Sequence, residues 1–136
     1  MYLIKHGDIG PGRDKRYIGQ TDIPLSDLGI KQAELLKRNF GNMSLDNIYC
    51  SDLERAQQTA TIIASAHQIV PTAIVELREM NMGAWEGKLF SEIRAQYPQE
   101  FKKRGENIAH ITVLQREKAF LTVIIERFQY FAKDSK

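Results

Sequence analysis

The chain has 136 residues and only one cysteine, Cys50. A lone thiol forms no internal disulfide, which fits a reducing compartment, and its default role is that of a small buried apolar residue rather than a nucleophile. Long apolar runs are also missing: none approaches the roughly 20 residues that a membrane-spanning helix requires. The first residues show no basic region followed by a long apolar segment and a small-residue cleavage site, so they do not read as a secretory signal and the expected location is the cytoplasm. Charge of one sign is scarce as well. Nineteen basic and seventeen acidic residues give a formal net charge of +2, too little to point to a nucleic-acid or membrane partner. Any cationic site must therefore be local. Arg13, Lys15 and Arg16 form one basic cluster and Lys102, Lys103 and Arg104 another, the second more consistent with solvated surface. No internal repeat, low-complexity stretch or linker divides the chain, and its length suits one domain with a single core. Residues 1–136 are thus expected to form one domain.

What is present is an alternation of strand and helix signals. Tyr2, Leu3 and Ile4 make a short apolar run of the kind expected for a strand buried on both faces. Glycines and prolines then punctuate residues 7 to 25, a long loop, and long loops in small domains are usually functional. Ser26 is a candidate N-cap for a helix whose apolar positions are Ile30, Ala33, Leu36 and Phe40, ended by Gly41. Asn47 to Cys50 reads as a second strand. In "SDLE", Ser51 and Glu54 have the spacing of a capping box, and Leu53, Ala56, Ala60 and Ile63 give the following helix its apolar stripe. Thr72 to Leu77 read as a third strand after Pro71. A loop over 78–88 and a short helix around Ser91 to Tyr97 follow. From Ile108 to Phe131 the pattern suits a long helix, although "FLTVII" within it also suits a strand. The βαβαβ order predicts an α/β fold with a mostly parallel sheet and helices on both faces.

In such sheets ligands bind beyond the carboxyl ends of the strands. His6 follows the first strand, Arg55 lies in the first turn after the second, and Glu79 follows the third. A helix N-terminus favours anions, so phosphate is a natural occupant beside Arg55. A neutral imidazole can attack phosphorus without a separate base. Lys5 and Arg55 could neutralise the equatorial oxygens and Glu79 could protonate the departing alkoxide, chemistry that calls for no metal or other cofactor.

These residues fall inside four ordered blocks, "LIKHG", "RYIGQTDIPLSDLGIKQA", "IYCSDLERAQQTA" and "LREMNMGAWEG". Together they resemble the histidine phosphatase superfamily, also called phosphoglycerate mutase-like, over residues 2 to about 97. Within it, "MGAWEG" resembles the small-phosphatase branch that includes α-ribazole phosphatases. The resemblance implies a phosphorylated histidine at His6, phosphate clamping by Arg55, a proton donor at Glu79 and a further phosphate contact from the loop at Arg16. It implies a metal-independent phosphomonoesterase acting on a small phosphorylated metabolite. Lys5 stands where the family has an arginine, keeping the charge but losing the planar fork. The family's second catalytic histidine, in a "VSHG"-like block, has no counterpart before Lys136, and neither His67 nor His110 stands in such a context. A phosphate-binding member with impaired turnover is the alternative, and a mutase, whose own "RHYG" block is absent, is the least expected. A chain lacking the family's carboxyl-terminal strand is further expected to expose the edge of strand one, with homodimer formation, a rearranged sheet or poor solubility as consequences.

Overall fold

A computed structural model of the protein describes residues 1–103 and 123–127. Its elements are β1 (Tyr2–Ile4), α1 (Asp27–Phe40), β2 (Asn47–Cys50), α2 (Glu54–Ala64), β3 (Thr72–Ala73), α3 (Phe90–Gln96) and β4 (Val123–Glu126), with short 3-10 turns at Arg13–Lys15, Val75–Leu77 and Gly83–Trp85. The order follows the sequence-based expectation closely through α3. Within the stretch that read as helix or strand, Val123–Glu126 is a strand; Ile108, His110, Leu114, Leu121, Phe128 and Phe131 lie outside the described residues.

Ser26 caps α1 as expected, its hydroxyl oxygen accepting the Gly29 N–H at 3.1 Å. Ala33 and Phe40 are buried, but Ile30 is exposed, because Gly29 rather than Ile30 occupies the face turned inward. The stripe of α2 is as read: Leu53, Ala56, Ala60 and Ile63 are all buried. The capping box is not. Leu53 is the N-cap residue without a side-chain bond, and the first N–H of α2, that of Glu54, is instead capped from the long loop by Asp22 Oδ1 at 2.7 Å. A distant carboxylate at the positive helix end replaces the local serine. β3 is shorter than predicted, because the chain tightens into a 3-10 turn after Ile74.

Among the described residues the sheet has four strands in the order β1-β4-β2-β3. The expectation of a mostly parallel sheet is corrected: β4 pairs antiparallel with both β1 and β2, and only β2 with β3 is parallel. The register explains how. Val123 lies opposite Ile4 on one side and Cys50 on the other, so β4 enters at the edge where β1 and β2 end. β1, β2 and β3 still run in one direction, and a reversed strand fills the slot between the first two. β1 is thus paired along one side, by β4. β1 is the last strand of this sheet, and Tyr2 and Leu3 are 37% and 39% exposed, so burial on both faces is not realised.

The core lies between α2 and the sheet, where Ile48, Cys50, Ala56, Ala60, Ile63, Val123 and Ile125 close on one another. α1 packs along α2, with the small side chains of Ala33, Ala56 and Ala60 fully buried. Phe40 meets Tyr2 edge to face at a centroid distance of 5.2 Å. No helix among the described residues is long and apolar enough to cross a membrane.

Candidate functional site

The shared direction of β1, β2 and β3 brings the residues after them to one edge. His6 lies two residues past Ile4, and its position is set by the backbone around it. The Gly7 N–H donates to Thr59 Oγ1 at 3.2 Å, and the Thr59 hydroxyl donates onward to the Arg55 carbonyl at 2.8 Å. Gly7 also lies directly on the first turn of α1: a Cβ there would stand 2.5 Å from the Gly29 carbonyl oxygen. Two glycines in backbone contact therefore fix where β1 ends. One residue on, the Asp8 carboxylate accepts from the Ser26 hydroxyl and from the Gly10 N–H at 2.9 Å, tying the loop to the cap of α1.

The His6 ring is half-buried. Its Nδ1 stands 2.6 Å from the Gly7 carbonyl oxygen. A carbonyl only accepts, so Nδ1 carries the proton and the neutral ring has its lone pair on Nε2. Burial lowers the His6 pKa to about 4; the nearby Arg55 and Lys5 charges push the same way, against the Gly7 bond and Asp8. The imidazole is thus neutral throughout the physiological range.

Arg55 is 1% exposed. It reaches from the first turn of α2 to the loop, where Nη1 donates to the Thr21 carbonyl and Nη2 to the Gly19 carbonyl, each at 2.7 Å. Its Nε is buried with no hydrogen-bond partner among the described residues. Burial lowers its pKa, while Glu79, Asp22 and Glu86 raise it. Glu79, half-buried after β3, accepts the Met80 N–H at 3.0 Å. Burial raises the Glu79 pKa above the ordinary carboxylate value, against that bond and the pull of Arg55 and Lys5. Lys5, Arg55, His6 and Glu79 thus act on one another electrostatically at one sheet edge. Together they supply two cations, one neutral nitrogen base and one carboxyl group that holds its proton more tightly than usual.

Arg16, at the other end of the loop, donates from Nη1 to the Gly87 carbonyl at 2.7 Å. Together with the Tyr17–Lys88 and Gly87–Tyr17 backbone bonds, this staples the long loop to the 83–89 segment. Trp85 and Tyr97, which could have faced a ligand, stack with each other at 6.4 Å, and Tyr17 packs against Trp85 and Phe90. His67 lies beyond the carboxyl end of α2, at the opposite end from Arg55. That helix has 11 residues and is about 16 Å long. There His67 lines a separate cavity with Ile69, Val70 and Pro71. Among the described residues no group of three or more His, Cys, Asp or Glu side chains could hold a metal ion.

Several residues of this site had no assigned role in the sequence. Gln20 donates from Nε2 to the Glu79 carbonyl at 3.1 Å, and Glu86 accepts from Gln20, Thr21 and Met82. Both stand inside the quoted motif blocks. Thr59 had a readable signal: it is four residues after Arg55, hence on the same helix face.

Known proteins share this chain's sequence pattern and fold. The sequence model of the histidine phosphatase superfamily (branch 1) matches residues 1–129. A Yersinia pestis protein named "Probable phosphoglycerate mutase GpmB" is 41% identical over 88 residues, which make up 65% of this chain and 41% of that protein. The α-ribazole phosphatase of Shigella flexneri superposes with a TM-score of 0.69 at 33% identity, over 77% of this chain and 52% of that one. A mycobacterial glucosyl-3-phosphoglycerate phosphatase gives 0.68 at 32%, over 72% and 46%. The chain therefore spans about half the length of these relatives. On the family match and the likeness of fold together, the chain belongs to the histidine phosphatase superfamily.

Proposed function

We propose that the protein hydrolyses phosphomonoesters of small metabolites through a phosphohistidine at His6. The observation that carries this reading is the coupling of a neutral, half-buried His6 to Arg55, Lys5 and a Glu79 whose pKa burial raises, all at one sheet edge. In the first step His6 Nε2 attacks phosphorus. The ester P–O bond breaks, its electron pair stays on the alkoxide oxygen, and Glu79 gives that oxygen its proton. Arg55 and Lys5 stabilise the charge on the equatorial oxygens. In the second step water attacks the phosphohistidine and gives its proton to the Glu79 carboxylate, and inorganic phosphate and neutral imidazole are released. Arg16 is the further phosphate contact in this reading; its bond to the Gly87 carbonyl uses one of the guanidinium's five N–H donors.

The phosphatases among the solved relatives support hydrolysis over isomerisation. The test is release of phosphate from an aryl phosphate in the presence of a chelator, by the native protein and by His6→Ala. Turnover lost in the variant is expected; turnover that survives it overturns the assignment. Binding of inorganic phosphate without turnover would move the protein to the alternative reading, a phosphate-binding member of the family. Isomerisation of phosphoglycerate exceeding hydrolysis would make it a mutase.

A further inference from the structure

The catalytic assignment leaves the most heavily bonded carboxylate near the site without a role. Glu86 follows Trp85 in "MGAWEG". Its Oε1 accepts the Gln20 N–H at 2.8 Å and the Met82 N–H at 3.3 Å, and its Oε2 accepts the Thr21 hydroxyl at 3.0 Å. The same three-residue segment offers its carbonyls to the other side, where Gly19 and Thr21 accept from the two Nη atoms of Arg55. Gly19–Thr21 is therefore held between a buried cation and a carboxylate. Its C=O dipoles point at one and its N–H and O–H donors at the other. The Gln20 side chain extends the same segment to the Glu79 backbone. Gly19 has a φ of +51°, and a Cβ there would stand 2.5 Å from Glu86 Oε1 and 2.8 Å from Met82 Cγ, so only glycine lets the carboxylate come so close.

We propose that Glu86 is a positioning residue that orients Arg55, through the Gly19–Thr21 segment, for binding a phosphoryl group. This rests on the proposed function for the turnover it would affect, whereas binding of inorganic phosphate at Arg55 tests the positioning by itself. Among the described residues no carboxylate bonds to the Arg55 guanidinium; its Nη atoms go to the Thr21 and Gly19 carbonyls. What fixes the plane of the fork is the pair of carbonyls, and what fixes the carbonyls is Glu86. The negative charge of Glu86 also acts on Arg55 directly. Without Glu86 the peptide units can rotate and the fork follows them, and a small misplacement of a catalytic group is enough for a loss of about 100-fold.

The test uses the full chain and two ligands, an aryl phosphate and inorganic phosphate, with the Arg55 Nε–H resonance as a structural readout. In Glu86→Ala, kcat/KM for the aryl phosphate should fall about 100-fold, inorganic phosphate should bind at least tenfold more weakly, and the Arg55 Nε–H resonance should shift. Glu86→Gln keeps an acceptor for Gln20 but presents N–H to the Thr21 hydroxyl, and should recover part of each loss. A folded Glu86→Ala protein with unchanged phosphate affinity and an unmoved Arg55 resonance overturns the proposal. If Glu86→Ala does not fold, Thr21→Val removes a single donor to Glu86, and the same two readouts decide. If the native protein binds phosphate without turning over the ester, the proposed function fails while phosphate affinity and the resonance still test Glu86.

Discussion

Two arginines near the same sheet edge show how differently one residue type can be used. Arg78 directs its fork at Asp52, with Nε and Nη2 at 2.6 and 2.5 Å from the two carboxylate oxygens. That pair is partly exposed, its side chains 35% and 25% accessible. Arg55 is buried, yet its two bonds go to neutral backbone carbonyls. A carboxylate in direct contact cancels most of a guanidinium's charge for any third party, whereas carbonyls orient the group and leave the charge in place. The difference separates an arginine that braces a loop from one suited to an anion. Burial of a cation whose nearby carboxylates do not bond to it directly is costly, and an anionic ligand is the natural means of offsetting that cost.

Breaking the comparison at Arg55 should have the largest effect. Arg55→Ala is expected to lower kcat/KM for an aryl phosphate by about 10³-fold, the scale of losing a preorganised donor to transition-state charge. A loss below tenfold would show that Arg55 merely braces the loop, as Arg78 does.

The next effect is on pH. His6 has a pKa of about 4 in the folded protein against 6.5 when unfolded. Below pH 6.5 the unfolded chain takes up a proton that the folded one refuses, so stability falls as pH drops from 6.5 towards 4 and is constant in this respect above 6.5. Between pH 7 and 5 this amounts to about 2 kcal/mol, measurable by urea unfolding, and it should vanish in His6→Gln. In Arg55→Ala the loss of a nearby positive charge should move the His6 pKa up, and ¹H NMR titration of the ring would show it. An unmoved ring would mean that the two side chains do not share a field.

Lys5→Arg sharpens the comparison by adding a second fork. It should tighten inorganic phosphate binding roughly fivefold, read by calorimetry, and unchanged or weaker binding would place Lys5 outside the anion site. Smallest of all, Arg78→Ala should lower the thermal midpoint by at most a few degrees, as expected for a partly exposed ion pair, and leave kcat/KM within about twofold.

The elements that sequence made legible are those with local causes. α1 announced itself through Ser26 and α2 through Leu53, Ala56, Ala60 and Ile63, because caps and 3.6-residue periodicity need no distant partner. The direction of β1, β2 and β3 followed from their helical crossovers, and with it the meeting of His6, Arg55 and Glu79 at one edge. What was not legible depends on segments far apart in the chain. The insertion of β4 between β1 and β2 is decided by pairing, since "FLTVII" fits a helix as well as a strand until Ile4 and Cys50 flank it. The cap of α2 by Asp22 spans 32 residues, and the bonds from Glu86 to Gln20 and Thr21 span more than 60. No local pattern reports such bonds. Arg16 shows the same limit from the other side: its place in the loop was legible, but its bond to Gly87 was not.

If His6 is the nucleophile, its phosphorylated form can be trapped. The protein is mixed with a ³²P-labelled phosphomonoester, quenched within milliseconds and digested under alkaline conditions that preserve phosphohistidine. The account predicts acid-labile label on the peptide carrying His6, appearing no later than free phosphate and missing in His6→Ala. Rapid turnover with no labelled protein, or label on any other residue, would contradict it.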